Sequence, residues 1–211
     1  MYQQQVSDAW NFREALDIDP FIRTYYLKGH LQAHQFTAKF ETELRREFRF
    51  KNATVGINLE VQKIIHSSTM PVSLHVRRGD YVPKNKDGNI ALPMSYYDNA
   101  IVEVRKRLPM ATFFVFSDDI AFARLHLEKY KGLVFVDHND EAHGYEDLRL
   151  MSSCRHHVIA NSTLSWWGAW LNPDPNKLVF APDRWITTQY PHTDLIPPTW
   201  IRVPANGSAA E

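Results

Sequence analysis

The sequence predicts an α/β fold in which a mostly parallel sheet is covered by helices. Five short apolar runs rich in valine and phenylalanine occur after residue 70, and such runs are typical of strands that are buried on both faces. Segments with apolar residues at helical spacing separate these runs, and this alternation is typical of parallel sheets with helical crossovers. Hydrophobic residues make up 44% and charged residues 23% of the 211 residues, which is ordinary for a globular domain.

The predicted elements fall into two regions along the chain. Residues 1–69 show no strand pattern, and their apolar stripes predict amphipathic helices over 36–48 and 55–66. From residue 70 onward the pattern predicts strands at 72–76, 112–116, 133–136, 157–160 and 178–181. Between those strands it predicts helices at 95–108, 119–130, 145–154 and 163–171. We therefore expect a mostly helical N-terminal region followed by an α/β unit.

Charge and composition exclude several classes of protein. The 24 basic and 24 acidic residues give a formal net charge of zero, so overall charge would not hold this chain on nucleic acid. Cys154 is the single cysteine, which excludes an intramolecular disulfide and a zinc site of several cysteines. No apolar run approaches the roughly 18 residues of a membrane span, and the polar N-terminus lacks a secretion signal. We expect a cytoplasmic protein and leave open a peripheral contact with the inner face of the membrane.

Polar residues follow the predicted strands, and ligands of open parallel sheets bind outside the carboxyl ends of the strands. The groups that follow the first four strands are 77–81, 117–119, 137–138 and 161–168. Arg77 and Arg78 can hold phosphate oxygens by charge-assisted hydrogen bonds, and the segment from Asn161 opens a helix whose N–H groups favour an anion. Arginines opposite a helix N-terminus suit a pyrophosphate. Neither a G-x-G-x-x-G nor a Walker sequence is present.

Each of these groups has a structural alternative. The segment from Arg77 to Asp80 could form a surface turn with a salt bridge, and this alternative weighs as much as phosphate binding. His156 and His157 could bind a metal, but adjacent strand residues point to opposite faces, so packing in the core is favoured. The aspartates at 118–119 are favoured as a helix cap over a metal site. Helix–sheet packing is favoured over sugar stacking for Trp166, Trp167 and Trp170.

Two long stretches of the sequence carry a family resemblance. Residues 75–82, His-Val-Arg-Arg-Gly-Asp-Tyr-Val, resemble the H-x-R-R-x-D motif of the α1,2-fucosyltransferases, glycosyltransferase family 11, a motif that other fucosyltransferases share. Residues 147–171 resemble the second signature of this family nearly throughout, and the Asn-Ser-Thr-Leu-Ser-Trp-Trp-Gly block within them is highly specific. Shorter matches lie at 116–119, 181–185 and 194–200. The resemblance covers about residues 25–203.

The resemblance implies a GT-B fold of two Rossmann-like lobes. It divides the chain into a partial, mostly helical N-terminal lobe on the acceptor side at 1–69, a GDP-fucose-binding lobe at 70–204 and a flexible tail at 205–211. It implies metal-independent transfer of L-fucose from GDP-β-L-fucose to the 2-hydroxyl of a terminal β-galactoside glycan, with inversion and an α1,2 linkage. GDP-fucose and the glycan are then the partners, and no cofactor is expected.

The resemblance also assigns candidate roles to residues of the two motifs. Arg77 is the candidate for the β-phosphate, where a fixed guanidinium would stabilise the charge that develops on GDP, and Arg78 supports the loop or the sugar. Asp80 is the nearest carboxylate for a catalytic base, and a salt bridge that orients the loop is an equal alternative. The remaining donor-binding candidates are His75 and Asp147 for guanosine, and Asn161, Ser162, Thr163 and Ser165 around the pyrophosphate.

The start of the chain departs from the family pattern. Family members normally begin with a strand and a Gly-Gly-Leu-Gly-Asn-Gln-Met-Phe-Gln type of turn, and neither occurs in this sequence. We therefore expect a fragment that lacks roughly the first third of a typical member, is inactive alone and self-associates through an uncovered apolar face. Two alternatives stay open: a non-catalytic remnant that binds a GDP-sugar, and a fucosyltransferase of a different linkage.

Overall fold

The computed structural model describes residues 33–82, 91–185 and 194–205, and the backbone of two further strands at 2–5 and 25–28. The contacts divide the chain into two compact units. Unit 1 comprises Met1–Arg49 and Gln189–Thr199, and unit 2 comprises Phe50–Thr188 and Trp200–Glu211. Of the tail predicted at 205–211, residues 206–211 lie outside the described residues.

Unit 1 contains two strands that the sequence did not predict. β1 (Tyr2–Gln5) and β2 (Tyr25–Lys28) pair in parallel, with Tyr2 opposite Tyr25. The expectation of an N-terminal region without strands was therefore wrong. The Tyr-Gln-Gln-Gln sequence of β1 has neither the β-branched residues nor the apolar alternation by which a strand is recognised in a sequence.

One predicted helix of unit 1 is interrupted. α1 (His34–Lys39) ends at Phe40, and α2 (Glu41–Glu47) begins directly after it. Phe40 has φ −117° and ψ 28°, outside the helical region, and its N–H donates to the Phe36 carbonyl. The single helix predicted over 36–48 was therefore wrong. The Lys-Phe-Glu sequence around Phe40 contains neither glycine nor proline. The helical spacing of apolar residues continues across Phe40, and for this reason the sequence predicted one helix.

Unit 2 is built on a parallel sheet that has six strands within the described residues. They are β3 (Met70–Val76), β4 (Ala111–Ser117), β5 (Leu133–Phe135), β6 (His156–Val158), β7 (Val179–Pro182) and β8 (Ile201–Val203). The first five confirm the predicted strands and the predicted α/β class. β8 was not predicted because the charged Arg202 interrupts its apolar residues and leaves no continuous apolar run.

The helices of unit 2 confirm the predicted positions closely. They are α3 (Gly56–Ser67), α4 (Met94–Arg107), α5 (Ile120–Leu127), α6 (Gly144–Ser153) and α7 (Thr163–Leu171). Of the two aspartates predicted as a cap, Asp119 is the N-cap of α5, and its Oδ1 accepts the Phe122 N–H at 3.1 Å. None of the helices in the described part of the chain is long and apolar enough to span a membrane.

The order of the strands reverses at one place in the sheet. The sheet runs β5-β4-β3-β6-β7-β8, so the chain builds outward from β3 through β4 to β5. It then returns to the other side of β3 and builds outward again through β6, β7 and β8. Such a reversal opens a crevice outside the carboxyl ends of the two strands where it occurs, and ligands of open α/β sheets bind there. The crevice of this sheet lies between β3 and β6.

The sheet separates two apolar layers. Along β3, Val72, Leu74 and Val76 pack with the buried residues of α4 and α5. Along β4, Phe114 and Phe116 pack on the opposite layer, with Ile65 of α3 and the buried residues of α6. Each fully buried phenylalanine contributes roughly 1.5–3 kcal/mol relative to an exposed one. The central strands are thus fixed from both faces, and the residues that follow them have a rigid support.

Candidate functional site

The carboxyl ends of β3, β4 and β6 bring together three groups of polar residues. Arg77 and Arg78 follow β3, Asp118 follows β4, and Asn161 and Ser162 follow β6. Both the arginine turn and the start of α7 flank the crevice where the strand order reverses. The structure therefore places these sequence-predicted groups at one edge of the sheet.

Arg77 is shared between two carboxylates. Its NH2 donates to Asp80 Oδ1 at 2.7 Å, and its NH1 lies 2.9 Å from Asp118 Oδ2. The guanidinium also lies over the Tyr81 ring, 5.4 Å from the ring centroid. The Arg77 side chain keeps 29% of its surface exposed. A fixed and partly exposed guanidinium of this kind can bind an anion that arrives from solvent.

Asp118 holds the arginine turn from the neighbouring strand. Its Oδ1 accepts the Arg78 backbone N–H at 2.9 Å, while its Oδ2 pairs with Arg77. A Cβ atom at Gly79 would lie only 2.5 Å from Asp118 Oδ2, so the glycine of the motif is what lets the carboxylate approach the turn. From the sequence, the two roles considered for Asp118 were a helix cap and a metal ligand. Its observed contacts are with the arginine turn, and Asp119 is the cap.

Arg78 lies against α5. Its guanidinium stacks on the Phe122 ring at 3.4 Å from the centroid, and its Nε pairs with Asp119 Oδ2 at 3.3 Å. Two arginines that are adjacent in sequence thus have different surroundings. Arg77 is bound by two carboxylates at the crevice, whereas Arg78 is packed on an aromatic ring of the next helix.

Tyr81 connects the arginine turn to the loop before α7. The turn closes as a short 3₁₀ helix over Gly79–Tyr81, and the Tyr81 hydroxyl donates to the Asn161 carbonyl at 3.3 Å. Asn161 is buried, and its Nδ2 donates to the Trp185 carbonyl at 2.8 Å. Burial raises the pKa of Tyr81, so the phenol stays neutral and keeps its proton for this hydrogen bond. The two loops that flank the crevice are therefore tied together.

The start of α7 presents backbone N–H groups at the same edge. Ser162 is the N-cap residue and makes no side-chain capping hydrogen bond, and the exposed Thr163 is the first helical residue. The first N–H groups of a helix have no partner within the helix and favour an anion. Ser165 lies inside, where its buried hydroxyl donates to the Ser162 carbonyl at 3.2 Å. Ser165 thus supports the first turn of the helix from below.

His75 is buried beneath the arginine turn. It is 2% exposed, and its Nδ1 has no hydrogen-bond partner among the described residues. Burial, and then the positive charge of Arg77, lower the pKa of His75 to about 3. The imidazole is therefore neutral at physiological pH, with a buried nitrogen that is available to a ligand or to water.

Asp147 belongs to a separate cluster at the start of α6. Asn139 Nδ2 donates to Asp147 Oδ1 at 2.7 Å and to Asn58 Oδ1 at 3.0 Å. Asn58 Nδ2 donates back to Asn139 Oδ1 at 2.9 Å, and His138 Nε2 lies 2.7 Å from Asn58 Oδ1. Burial raises the pKa of Asp147 despite the Asn139 hydrogen bond. The sequence indicated Asp147 and His138 but missed Asn58 and Asn139. Their pairing could not be predicted, because Asn58 lies on α3, 81 residues before Asn139.

The contacts of the histidine pair and of the tryptophans are mainly with neighbouring residues of the fold. His157 lies between Ser73 and Asn172, and His156 Nδ1 accepts the Leu178 N–H at 3.0 Å. Within the described residues no group of three acidic, histidine or cysteine side chains could hold a metal ion. Both ring nitrogens of His157 thus have partners within the fold, whereas the buried Nε2 of His156 has none among the described residues. The tryptophan rings pack on one another at 5.2–5.4 Å between centroids, in the pairs 166–167, 167–170 and 166–200.

Comparison with known proteins decides the family. The model of the family described as "Glycosyl transferase family 11" matches residues 12–203. The chain belongs to glycosyltransferase family 11. The family inferred from the arginine motif and the Asn-Ser-Thr block is thereby confirmed.

Three relatives illustrate the range of the match. The O-antigen biosynthesis glycosyltransferase WbnK of Escherichia coli is 37% identical over 127 residues, which are 59% of this chain and 42% of that protein. The α-1,2-colitosyltransferase of Escherichia coli is 33% identical over 185 residues, 83% of this chain and 61% of that protein. The galactoside α-(1,2)-fucosyltransferase 1 of Ateles belzebuth is 27% identical over 176 residues, 77% of this chain and 46% of that protein.

The coverage of these relatives is partial. The chain spans about half the length of the curated relatives that it matches, from 42% to 61% for the three above. No solved structure matches the chain.

Proposed function

We propose that unit 2 is the donor-binding part of an α1,2-fucosyltransferase that uses GDP-β-L-fucose. One observation carries the proposal: Arg77 and the start of α7 flank the crevice between β3 and β6, where the strand order reverses. A guanidinium on one side and open helix N–H groups on the other suit a pyrophosphate. We place this unit in a GT-B enzyme whose acceptor, a terminal β-galactoside glycan, receives fucose on its 2-hydroxyl.

The proposed chemistry is an inverting displacement without a metal ion. The acceptor hydroxyl attacks the anomeric carbon from the face opposite GDP, and the bond between that carbon and the β-phosphate oxygen breaks. The electron pair of this bond goes to the phosphate oxygen, where Arg77 and the first N–H groups of α7 stabilise the charge as it develops. Asp80 is the candidate that takes the hydroxyl proton. The sugar that leaves GDP is thereby inverted to an α linkage.

The remaining candidates have supporting roles in this proposal. Asn161 and Ser165 hold the loop and the first turn that carry Ser162 and Thr163, and these two residues face the pyrophosphate. His75 is neutral and offers its buried nitrogen next to Arg77.

Asp147 offers a partly buried carboxylate for the guanosine part of the donor. A carboxylate accepts hydrogen bonds and can therefore pair with the N–H groups on the edge of guanine. Asn139 occupies Oδ1 of Asp147, which leaves Oδ2 for such a contact.

One relative suggests a second donor sugar. The protein that matches 83% of this chain is named for the transfer of colitose and for an α-1,2 linkage, whereas others are named for fucose. The family resemblance covers the residues that we assign to the nucleotide, and these do not choose the sugar. The test is to measure the rate of transfer to a β-galactoside from GDP-fucose and from GDP-colitose. We expect transfer from GDP-fucose to be faster.

The test of donor binding is a calorimetric titration of the chain with GDP, with UDP as the control. We expect saturable binding of GDP and at least tenfold weaker binding of UDP. Arg77→Ala should weaken GDP binding by roughly tenfold to a hundredfold, since a hydrogen bond to a charged group contributes about 1.5–3 kcal/mol. Arg124→Ala is the matched control, because Arg124 is an exposed arginine that pairs with a carboxylate at the same edge of the sheet.

Three outcomes separate the proposal from its alternatives. A folded chain that binds neither nucleotide would contradict a donor site in unit 2. GDP binding without transfer to a β-galactoside would favour the non-catalytic remnant, and a product with another linkage would favour a different fucosyltransferase.

A further inference from the structure

The two carboxylates on Arg77 are held in different ways. Asp118 keeps 24% of its side chain exposed, whereas Asp80 keeps 61%. Asp118 accepts a backbone N–H as well as the guanidinium, and Gly79 packs directly against it. Asp80 lies on the same short 3₁₀ helix as that glycine, and its described hydrogen bond as an acceptor is the one to Arg77. One carboxylate is therefore anchored and the other is free to rotate into solvent.

The exposed pair is the weaker of the two. An exposed ion pair three residues apart typically contributes less than about 1 kcal/mol, because water competes for both charges. A diphosphate brings more charge and several acceptor oxygens, and its hydrogen bonds with an arginine are charge-assisted and can be bidentate. The NH2 group of Arg77, which now donates to Asp80, is the group that an anion from solvent would reach.

We propose that Asp80 is an internal competitor of the donor β-phosphate, and that Asp118 is the residue that positions Arg77. Without a nucleotide, Asp80 neutralises the exposed side of the guanidinium. When a diphosphate binds, the phosphate takes this position, Asp80 rotates away, and Asp118 keeps the guanidinium in place. This inference rests on the proposed function, because it takes Arg77 as the β-phosphate ligand.

The exchange predicts that substitution of Asp80 and substitution of Asp118 change the affinity for GDP in opposite directions, although both aspartates pair with Arg77. Asp80→Asn removes the competitor, so GDP should bind about two- to fivefold more tightly, which corresponds to the usual strength of an exposed ion pair. Asp118→Asn removes the anchor, so GDP should bind at least about tenfold more weakly, although both variants lose one negative charge. A simple change in net charge would strengthen binding in both.

The comparison of GDP with GMP distinguishes positioning from a general structural effect. GMP lacks the β-phosphate, so neither substitution should change its affinity by more than about 1.5-fold. The ratio of GDP to GMP affinity should therefore rise in Asp80→Asn and fall in Asp118→Asn. A variant that only loosened the fold would weaken both nucleotides together.

The experiment is a calorimetric titration of the whole chain and its variants with GDP, GMP and inorganic pyrophosphate at constant ionic strength. Asp137→Asn is the matched control for charge, since Asp137 is a half-exposed carboxylate paired with Arg124 at the same edge. Asp80→Ala is a second variant that should behave like Asp80→Asn. Circular dichroism confirms that each variant is folded.

The results distinguish the exchange at Arg77 from the proposed nucleotide site. Tighter GDP binding in both Asp80 variants, with no gain in Asp137→Asn, supports the exchange. Unchanged or weaker GDP binding in the Asp80 variants overturns the exchange while the proposed function stands. If the chain binds GDP no more tightly than UDP, but pyrophosphate binds more tightly to Asp80→Asn than to the unchanged chain, the exchange holds and the nucleotide assignment fails. If neither GDP nor pyrophosphate binds, both claims are overturned.

Discussion

The same strand carries two buried polar side chains with opposite surroundings. Ser73 and His75 are two residues apart on β3, so they lie on the same face of the sheet. Ser73 bonds to His157 of β6, whose two ring nitrogens both have partners. The Nδ1 of His75 has none among the described residues. The partners of His157 give it a role in the fold, whereas the buried nitrogen of His75 lies beside Arg77 and is the one that we propose for the donor.

The network around His157 is closed. Asn172 Nδ2 donates to His157 Nε2 at 2.9 Å, so Nδ1 carries the proton and donates to the Ser73 hydroxyl at 2.9 Å. The Asn172 oxygen accepts the Asp174 N–H at 2.8 Å. Burial lowers the pKa of His157 well below its usual value, and the ring stays neutral. This region contributes stability and leaves no group over for a ligand.

The largest expected effect distinguishes the two histidines. His157→Leu should lower the free energy of unfolding by about 2–4 kcal/mol, because it leaves the Ser73 hydroxyl buried without its partner and removes one of the acceptors of the Asn172 amide. His75→Leu removes a nitrogen that has no partner among the described residues, so it should change the free energy of unfolding by less than about 1 kcal/mol and should weaken GDP binding. Urea denaturation and GDP titration measure the two effects. Equal losses of stability would contradict the distinction.

Acid should destabilise the fold through His75. Its pKa is about 3 in the folded chain, against an ordinary value of 6.5, so the unfolded chain takes up the proton first as the pH falls. The stability from the neutral ring is complete above about pH 6.5 and is lost by at most about 1.4 kcal/mol per pH unit below it. His75→Gln should reduce this slope in denaturation curves between pH 6 and pH 4, and the slope that remains comes from other buried histidines such as His157, whose pKa is also lowered by burial. The exposed His66 provides the control variant His66→Gln, and an unchanged slope in His75→Gln would refute the assignment.

Gly79→Ala should damage the charged end of the sheet without affecting the closed network. The added Cβ would lie 2.5 Å from Asp118 Oδ2, so the carboxylate must move and Arg77 loses its support. GDP should bind roughly five- to tenfold more weakly, about 1–1.4 kcal/mol, as expected for one lost hydrogen bond. Gly144→Ala is the control, since a Cβ there meets nothing within 4 Å. Equal GDP affinity in the two variants, measured by calorimetry, would contradict the account.

The smallest expected effect concerns the base of the nucleotide. Asn139→Ala removes the amide that orients Asp147, so the affinity for GDP should fall by about two- to fivefold, equivalent to a hydrogen bond of about 0.5–1 kcal/mol. Inosine diphosphate lacks the amino group of guanine, so its affinity should change less. Calorimetry of both nucleotides gives the ratio, and a fall that is equal for both would show that Asn139 acts only on the fold.

The sequence predicted what depends on local patterns. Apolar runs and helical spacing predicted the central strands and helices, because burial on both faces leaves a clear signature. β1 lacks that signature, and the interruption at Phe40 carries no breaker residue. The tertiary environment decides such elements, and a single sequence does not encode it locally.

For the candidate site, the sequence predicted the position of the motif residues but not the contacts that hold them. Arg77 and Ser162 follow apolar strands, so their position at the carboxyl edge could be inferred. The role of Asp118 could not, because its contacts join two strands that lie 40 residues apart in the chain. The same applies to Asn58, which meets Asn139 across 81 residues. Motifs indicate which residues bind a ligand, whereas the residues that position them come from the fold.

The most direct test of the central claim is a crystal structure of the chain with GDP bound. We predict that the β-phosphate lies within hydrogen-bonding distance of Arg77 and of the first N–H groups of α7, and that Asp118 keeps its contacts with the arginine turn. A GDP molecule bound elsewhere, with Arg77 still held by both carboxylates, would contradict the assignment of this crevice as the donor site.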